Sequence, residues 1–241
     1  MQNIQHIKQV SEYTERDCLS CEKDCCVLRN VHAPAAAYGG NQDWFEECSQ
    51  DRYSALRACG IIALLNQFAS LGIAYPDAQA LWPDDGLPES KEDYVSWAYT
   101  LKPYIWPGPF GLPKGDSIRK ASRAFAADRG LELTWHNLYG RPSIEEEISF
   151  IRAGLQAHVP VSHLVWRSKF EDLTWHWIAI TGLEIDPQGC DNLTPELRSK
   201  YQGELFVICS NFGKKEAYPI RLLRKAFPFH RELQYPTVSL R

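Results

Sequence analysis

The clearest hydrophobic pattern in the chain is ACGIIALLNQFASLG, residues 58–72, where Ile61, Leu64, Leu65, Phe68 and Leu71 recur at helical spacing. This predicts a buried amphipathic helix, with Gly72 as its stop. KEDYVSWAYT predicts a short helix, and SIRKASRAFAADRG predicts another from Ser117 to Gly130. LELTWHNL alternates as a strand does. Ser143 followed three residues later by Glu146 is a capping box and opens a helix through SIEEEISFIRAGLQAH. Four runs then read as strands: VPVSHLVW, TWHWIAITGLEI, ELFVICSNF and EAYPIRLL, with LRKAF as a final helical turn. Helices followed by an antiparallel-looking sheet predict an α+β fold. Between them, PYIWPGPFGLPKGD carries four prolines and three glycines and reads as a packed surface loop able to wall a cleft.

Composition narrows the class. The chain has 241 residues, 44% of them hydrophobic, enough for one sizeable core with an arm. Its net charge of −4 is spread without long blocks and makes no basic stripe, so a nucleic-acid partner is not expected. No apolar run is long enough to span a bilayer, and MQNIQHIKQVSEYTERD lacks the apolar core of a signal peptide; a cytoplasmic protein without a membrane partner is expected.

Eight cysteines do not form a complete disulfide framework if one of them must stay a free thiol. Cys18, Cys21, Cys25 and Cys26 fall within nine residues of one another. C-x2-C is a metal-ligand spacing, and His32 is a spare ligand candidate. No second C-x2-C follows, and the adjacent pair Cys25 and Cys26 does not readily face one metal, so no metal is expected.

Cys59 stands at the start of the central helix, where outward N–H groups and the helix dipole favour a thiolate. A nucleophilic cysteine needs a base, and the base needs an orienting group. His176, in a tryptophan-rich strand, is the candidate base, and Ser210 or Asn211, at the end of the next strand, is the candidate third group. Asn41, Gln42, Gln50 and Tyr53 lie upstream of Cys59 and are polar residues able to serve an oxyanion.

ACGIIALLNQF, AHVPVSHLVW, HWIAITGLE and SNFGKKEAYPI, taken in that order, resemble the papain-like cysteine peptidases, most closely the bacterial C39-like group. The resemblance covers Gln50 to Phe227 and implies residues 1–49 as a cysteine-containing arm and 50–241 as the peptidase domain. It implies a papain-like fold, with a helical half whose nucleophile helix packs on an antiparallel sheet. It also implies Cys59 as nucleophile, His176 as general base and acid, and Asn211 as the orienting amide, with no cofactor and a peptide or amide substrate. The glutamine that many relatives carry six residues before the nucleophile is Tyr53 here, which leaves Gln50 as the oxyanion candidate. An inactive papain-fold scaffold and an acyltransferase with the same triad are the alternatives. Oligomeric state is not legible in the sequence.

Overall fold

A computed structural model describes residues 37–166, 168, 170, 173–226 and 231–239. The Cys18–Cys26 cluster, His32 and most of the expected N-terminal arm lie outside the described residues. In chain order the elements are α1 (Trp44–Ser49), α2 (Arg52–Ala55), α3 (Cys59–Ala74), a 3-10 helix (Pro76–Leu81), α4 (Lys91–Thr100), α5 (Gly115–Ala127), β1 (Glu132–Gly140), α6 (Ile144–Gln156), β2 (Val161–Val165), β3 (His176–Ile185), α7 (Pro195–Lys200), β4 (Leu205–Asn211), β5 (Lys214–Pro219), α8 (Ile220–Ala226) and β6 (Arg231–Ser239). The strands form one antiparallel sheet in the order β1-β6-β2-β3-β4-β5. The protein is therefore a mixed α+β fold.

Helix α3 is the spine. It packs on β2, β3 and β6, and every residue from Cys59 to Gly72 is buried. Ile61, Leu64, Leu65, Phe68 and Leu71 are at most 1% exposed; each such side chain contributes about 1.5–3 kcal/mol by leaving water. A helix buried on all sides must also satisfy its polar residues. Gln67 donates to the carbonyls of Pro160 (2.9 Å) and Gln234 (3.0 Å), and Ser70 donates to Asn66 O (3.0 Å). Gly72 does not end this helix, which continues to Ala74. A Cβ at Gly72 would lie 2.3 Å from the Trp82 ring, so the glycine serves close packing there.

The capping box forms as expected: Glu146 N–H donates to Ser143 Oγ and Ser143 N–H donates to Glu146. Helix α5 begins at Gly115, two residues before Ser117, because the Gly115 N–H finds the carboxylate of Glu232 on β6 at 2.7 Å. Two strand assignments need correction. EAYPIRLL is strand only to Pro219, and Ile220 opens α8. The stretch RELQYPTVS forms β6, which lies between β1 and β2. Glu232 and Gln234 are buried there along with Leu233 and Tyr235, and Pro236 pairs opposite Trp135, so burial does not follow the polar/apolar alternation of the sequence.

The boundary expected at residue 49 does not coincide with the packing. Tyr38, Trp44 and Phe45 are buried in the same body, and Tyr38 N–H donates to Gly213 O at 2.7 Å. No helix among the described residues is long and apolar enough to cross a membrane.

Candidate active site

Three separate elements bring Cys59, His176 and Asn211 to one place. Cys59 is the first residue of α3, His176 is the first of β3, and Asn211 is the last of β4. All three line a small pocket of about 10 Å³, and Gln42 closes another side of it. Exposure is 9% for Cys59, 8% for His176 and 3% for Asn211, so all three side chains are largely withdrawn from solvent.

The local sequence explains each placement. Trp175, with φ 59°, turns the chain just before His176 enters the sheet opposite Val165. Asn211 and Lys214 pair across a two-residue hairpin whose central residues, Phe212 (φ 46°) and Gly213 (φ 71°), are both left-handed. That is the primed turn a tight hairpin prefers, with a phenylalanine in a position that usually takes asparagine or glycine. The strained Phe212 lays its ring on the His176 imidazole, with centroids 4.7 Å apart and planes 12° from parallel.

Asn211 is held by Glu216. Its Nδ2 donates to Glu216 Oε2 at 2.7 Å, and the same carboxylate oxygen accepts from Tyr218 Oη at 2.6 Å. Asn211 Oδ1 is then buried with no hydrogen-bond partner among the described residues. That leaves it as an acceptor in a pocket shared with an imidazole. Ser210 is otherwise engaged: its Oγ donates to Tyr38 O at 2.5 Å and accepts from Asn66 Nδ2 at 3.3 Å. Of the two candidates, Asn211 is the one with a group to spare.

Cys59 departs from the expectation of an easily ionised thiol. Burial pushes its pKa up, while the N–H groups of Trp177, Gly60 and Cys59 itself pull against that rise. Burial wins, since an isolated thiolate loses more on leaving water than those amides return.

Gln50 is not part of this site. It is the exposed C-cap of α1, with φ 56°, where a left-handed residue ends the helix. Gln42, another of the upstream polar candidates, lines the pocket instead and is 8% exposed; its Oε1, an acceptor, has no partner among the described residues. It lies 17 residues before Cys59 because α1 and α2 intervene, so a spacing rule does not find it. Glu216, Phe212 and Asn66 were missed, and only contacts between distant elements reveal them. Among the described residues, no three His, Cys, Asp or Glu side chains are grouped to hold a metal. Cys48, Cys59, Cys190 and Cys209 are free thiols.

Compared with known proteins, the chain matches no family model, no curated protein and no solved structure.

Proposed function

We propose that this chain is a papain-like, cysteine-dependent hydrolase acting on an amide or peptide bond. The observation that carries the proposal is the convergence of Cys59, His176 and Asn211, with Gln42, on one buried pocket. His176 takes the Cys59 proton, and Sγ attacks the carbonyl carbon. The negative charge on the carbonyl oxygen is met by the Cys59 N–H and the Gln42 amide. The C–N bond breaks as His176 returns the proton to the leaving amine. Water, deprotonated by His176, then cleaves the thioester, giving a carboxylic acid and the free thiol. Asn211 Oδ1, at rest without a partner among the described residues, is the acceptor that the imidazole N–H meets as the ring takes the proton, and it then fixes the ring's orientation. The four free thiols among the described residues suit a reducing, cytoplasmic setting.

The raised pKa of Cys59 favours a second reading, a scaffold that kept the fold and lost the chemistry. The two are separated by labelling with iodoacetamide and peptide mapping at pH 7. As a hydrolase, Cys59 labels faster than Cys190 or Cys209, and His176→Ala slows that labelling by at least tenfold. Equal rates at the three thiols, or an unchanged rate in His176→Ala, support the scaffold.

A further inference from the structure

Large apolar side chains at the surface call for explanation when they gather in one patch. Leu56 (63% exposed), Phe110 (83%) and Trp175 (58%) all line a single cleft of about 510 Å³. That is within the size range of about 300–1,000 Å³ for small-molecule sites. The cleft shares Cys59 and Trp177 with the small pocket that holds His176 and Asn211. A chain lying in it would present its end to the sulfur. The remaining walls are Arg57, Pro109, Gly111, Leu112 and Pro113, the last four from the proline-rich loop, and Leu164 from β2.

Several polar groups in these walls are already used, while the Arg57 Nη groups, Trp175 Nε1 and the Phe110 and Leu112 N–H groups have no partner among the described residues. Trp177 Nε1 donates to Leu112 O at 2.7 Å, and Arg57 Nε donates to Pro109 O at 3.0 Å. The N–H and C=O groups of Gly108 and Gly111 bond to each other, at 3.0 and 3.1 Å. The Arg57 guanidinium also lies over the Tyr53 ring, 4.5 Å from its centroid. An extended peptide would bring an N–H and a C=O at every residue. The spare wall groups are donors, while the Pro109, Leu112, Gly108 and Gly111 carbonyls are taken, so peptide N–H groups would lose their water against few acceptors. A hydrocarbon chain carries no such cost.

On the reading of Cys59 as the nucleophile, we infer that this cleft binds the acyl part of the substrate and that the substrate is the amide of an alkanoyl or arylalkanoyl acid. The apolar tail lies between Phe110, Leu56 and Trp175, and its carbonyl reaches Cys59. The amine leaves on the His176 side.

Two series of compounds test this on the full-length protein. Alkyl chloromethyl ketones of increasing chain length alkylate Cys59, the sulfur displacing chloride, and peptide mapping reads the rate. Fluorogenic anilides of the matching fatty acids read turnover. The second-order labelling rate rises about fourfold per methylene over the first several carbons, as about 0.8 kcal/mol per buried methylene requires. Phe110→Ala and Leu56→Ala, both at exposed positions, reduce the ratio of the octyl rate to the methyl rate. A chain-length rise in both series supports the cleft and the hydrolase together. A rise in labelling with no anilide turned over supports the cleft and refutes the hydrolase reading. Labelling of Cys59 that is flat with chain length or absent overturns the inference. Faster labelling by a peptidyl chloromethyl ketone of equal apolar area also overturns it, in favour of a peptide.

Discussion

Asn66 holds the pocket together, and its removal tests that account most directly. The side chain sits on the central helix, 1% exposed. Its Oδ1 accepts from Gly40 N–H at 2.9 Å and from Tyr94 Oη at 3.3 Å, and its Nδ2 donates to Ser210 Oγ at 3.3 Å. Asn66→Ala breaks all three bonds, with unequal results. Tyr94 keeps a bond to Ile62 O at 3.4 Å, and Ser210 keeps its bond to Tyr38 O. Gly40 N–H is left buried, and an orphaned donor costs about 1–3 kcal/mol. With the two weaker bonds, the expected loss is about 2–4 kcal/mol. For a domain of this size that corresponds to a fall in Tm of roughly 5–15 °C. Urea denaturation gives the global number. Hydrogen exchange at Gly40 and native-state labelling of Cys59 give the local one. Both rates rise, because the segment carrying Gly40 and Gln42 loses its tie to α3. Ser70→Ala, which removes one bond to a helix carbonyl, costs less than half as much. A loss below about 1 kcal/mol for Asn66→Ala, with Gly40 exchange unchanged, would refute the assignment of Asn66 as the tie.

Three further outcomes are expected. Glu147 is 1% exposed and accepts from Arg224 Nη1, while the same guanidinium also donates to Ser143 O and Pro142 O; Glu147→Ala leaves that cation facing an emptied site and costs about 3–5 kcal/mol in urea denaturation, and a cost under 1 kcal/mol contradicts the pairing. Burial raises the thiols of Cys190, to about 11, and of Cys209. The unfolded chain gives up those protons at lower pH than the native one, so stability is full below about pH 8.5 and falls as pH rises toward 11; Cys190 alone contributes about 2–3 kcal/mol of that fall. A Tm as high at pH 10.5 as at pH 8 rules this out. Glu216→Ala frees the Asn211 amide to rotate, so it lowers the Cys59 labelling rate in the same direction as Asn211→Ala, and the double variant is little worse than either; independent, additive effects would mean that Glu216 does not act through Asn211.

The sequence reveals elements wherever local pattern and local chemistry agree. The 58–72 helix and the Ser143 capping box needed only residues three or four apart, and both formed. The β6 strand carries a misleading local signature: polar and apolar residues alternate from Glu232 to Tyr235, and Pro236 then breaks the pattern. Glu232 and Gln234 are polar because they bond sideways, to Gly115 N–H and to Arg119 Nη1 at 2.8 Å, about 115 positions away in the chain. Pairing with β1 and β2 buries them, and pattern alone reads them as surface. The site divides the same way. Cys59, His176 and Asn211 stand out because each ends or begins a readable element. Gln42 appears only as one of four upstream polar candidates, because two short helices separate it from Cys59 and spacing carries no information across them.

The same burial that assembles the pocket opposes its chemistry. Excluding water strengthens every hydrogen bond available to a developing charge, yet it also keeps Cys59 protonated at rest. The groups in place share that conflict. Trp177, Gly60 and Cys59 aim N–H groups at the sulfur and favour the thiolate. Phe212 covers one face of the imidazole, and Glu216 holds Asn211 with its carbonyl oxygen unspent. An inert buried cysteine requires none of these. An unspent buried acceptor costs stability in a protein that only has to fold, and Gln42 Oε1 lies unspent in the same pocket. Unspent buried atoms occur elsewhere too, Gln67 Oε1 and Ser162 Oγ among them, so what sets these two apart is their place beside one thiol and one imidazole, where, on the proposed reading, a bound substrate or a transferred proton would answer them.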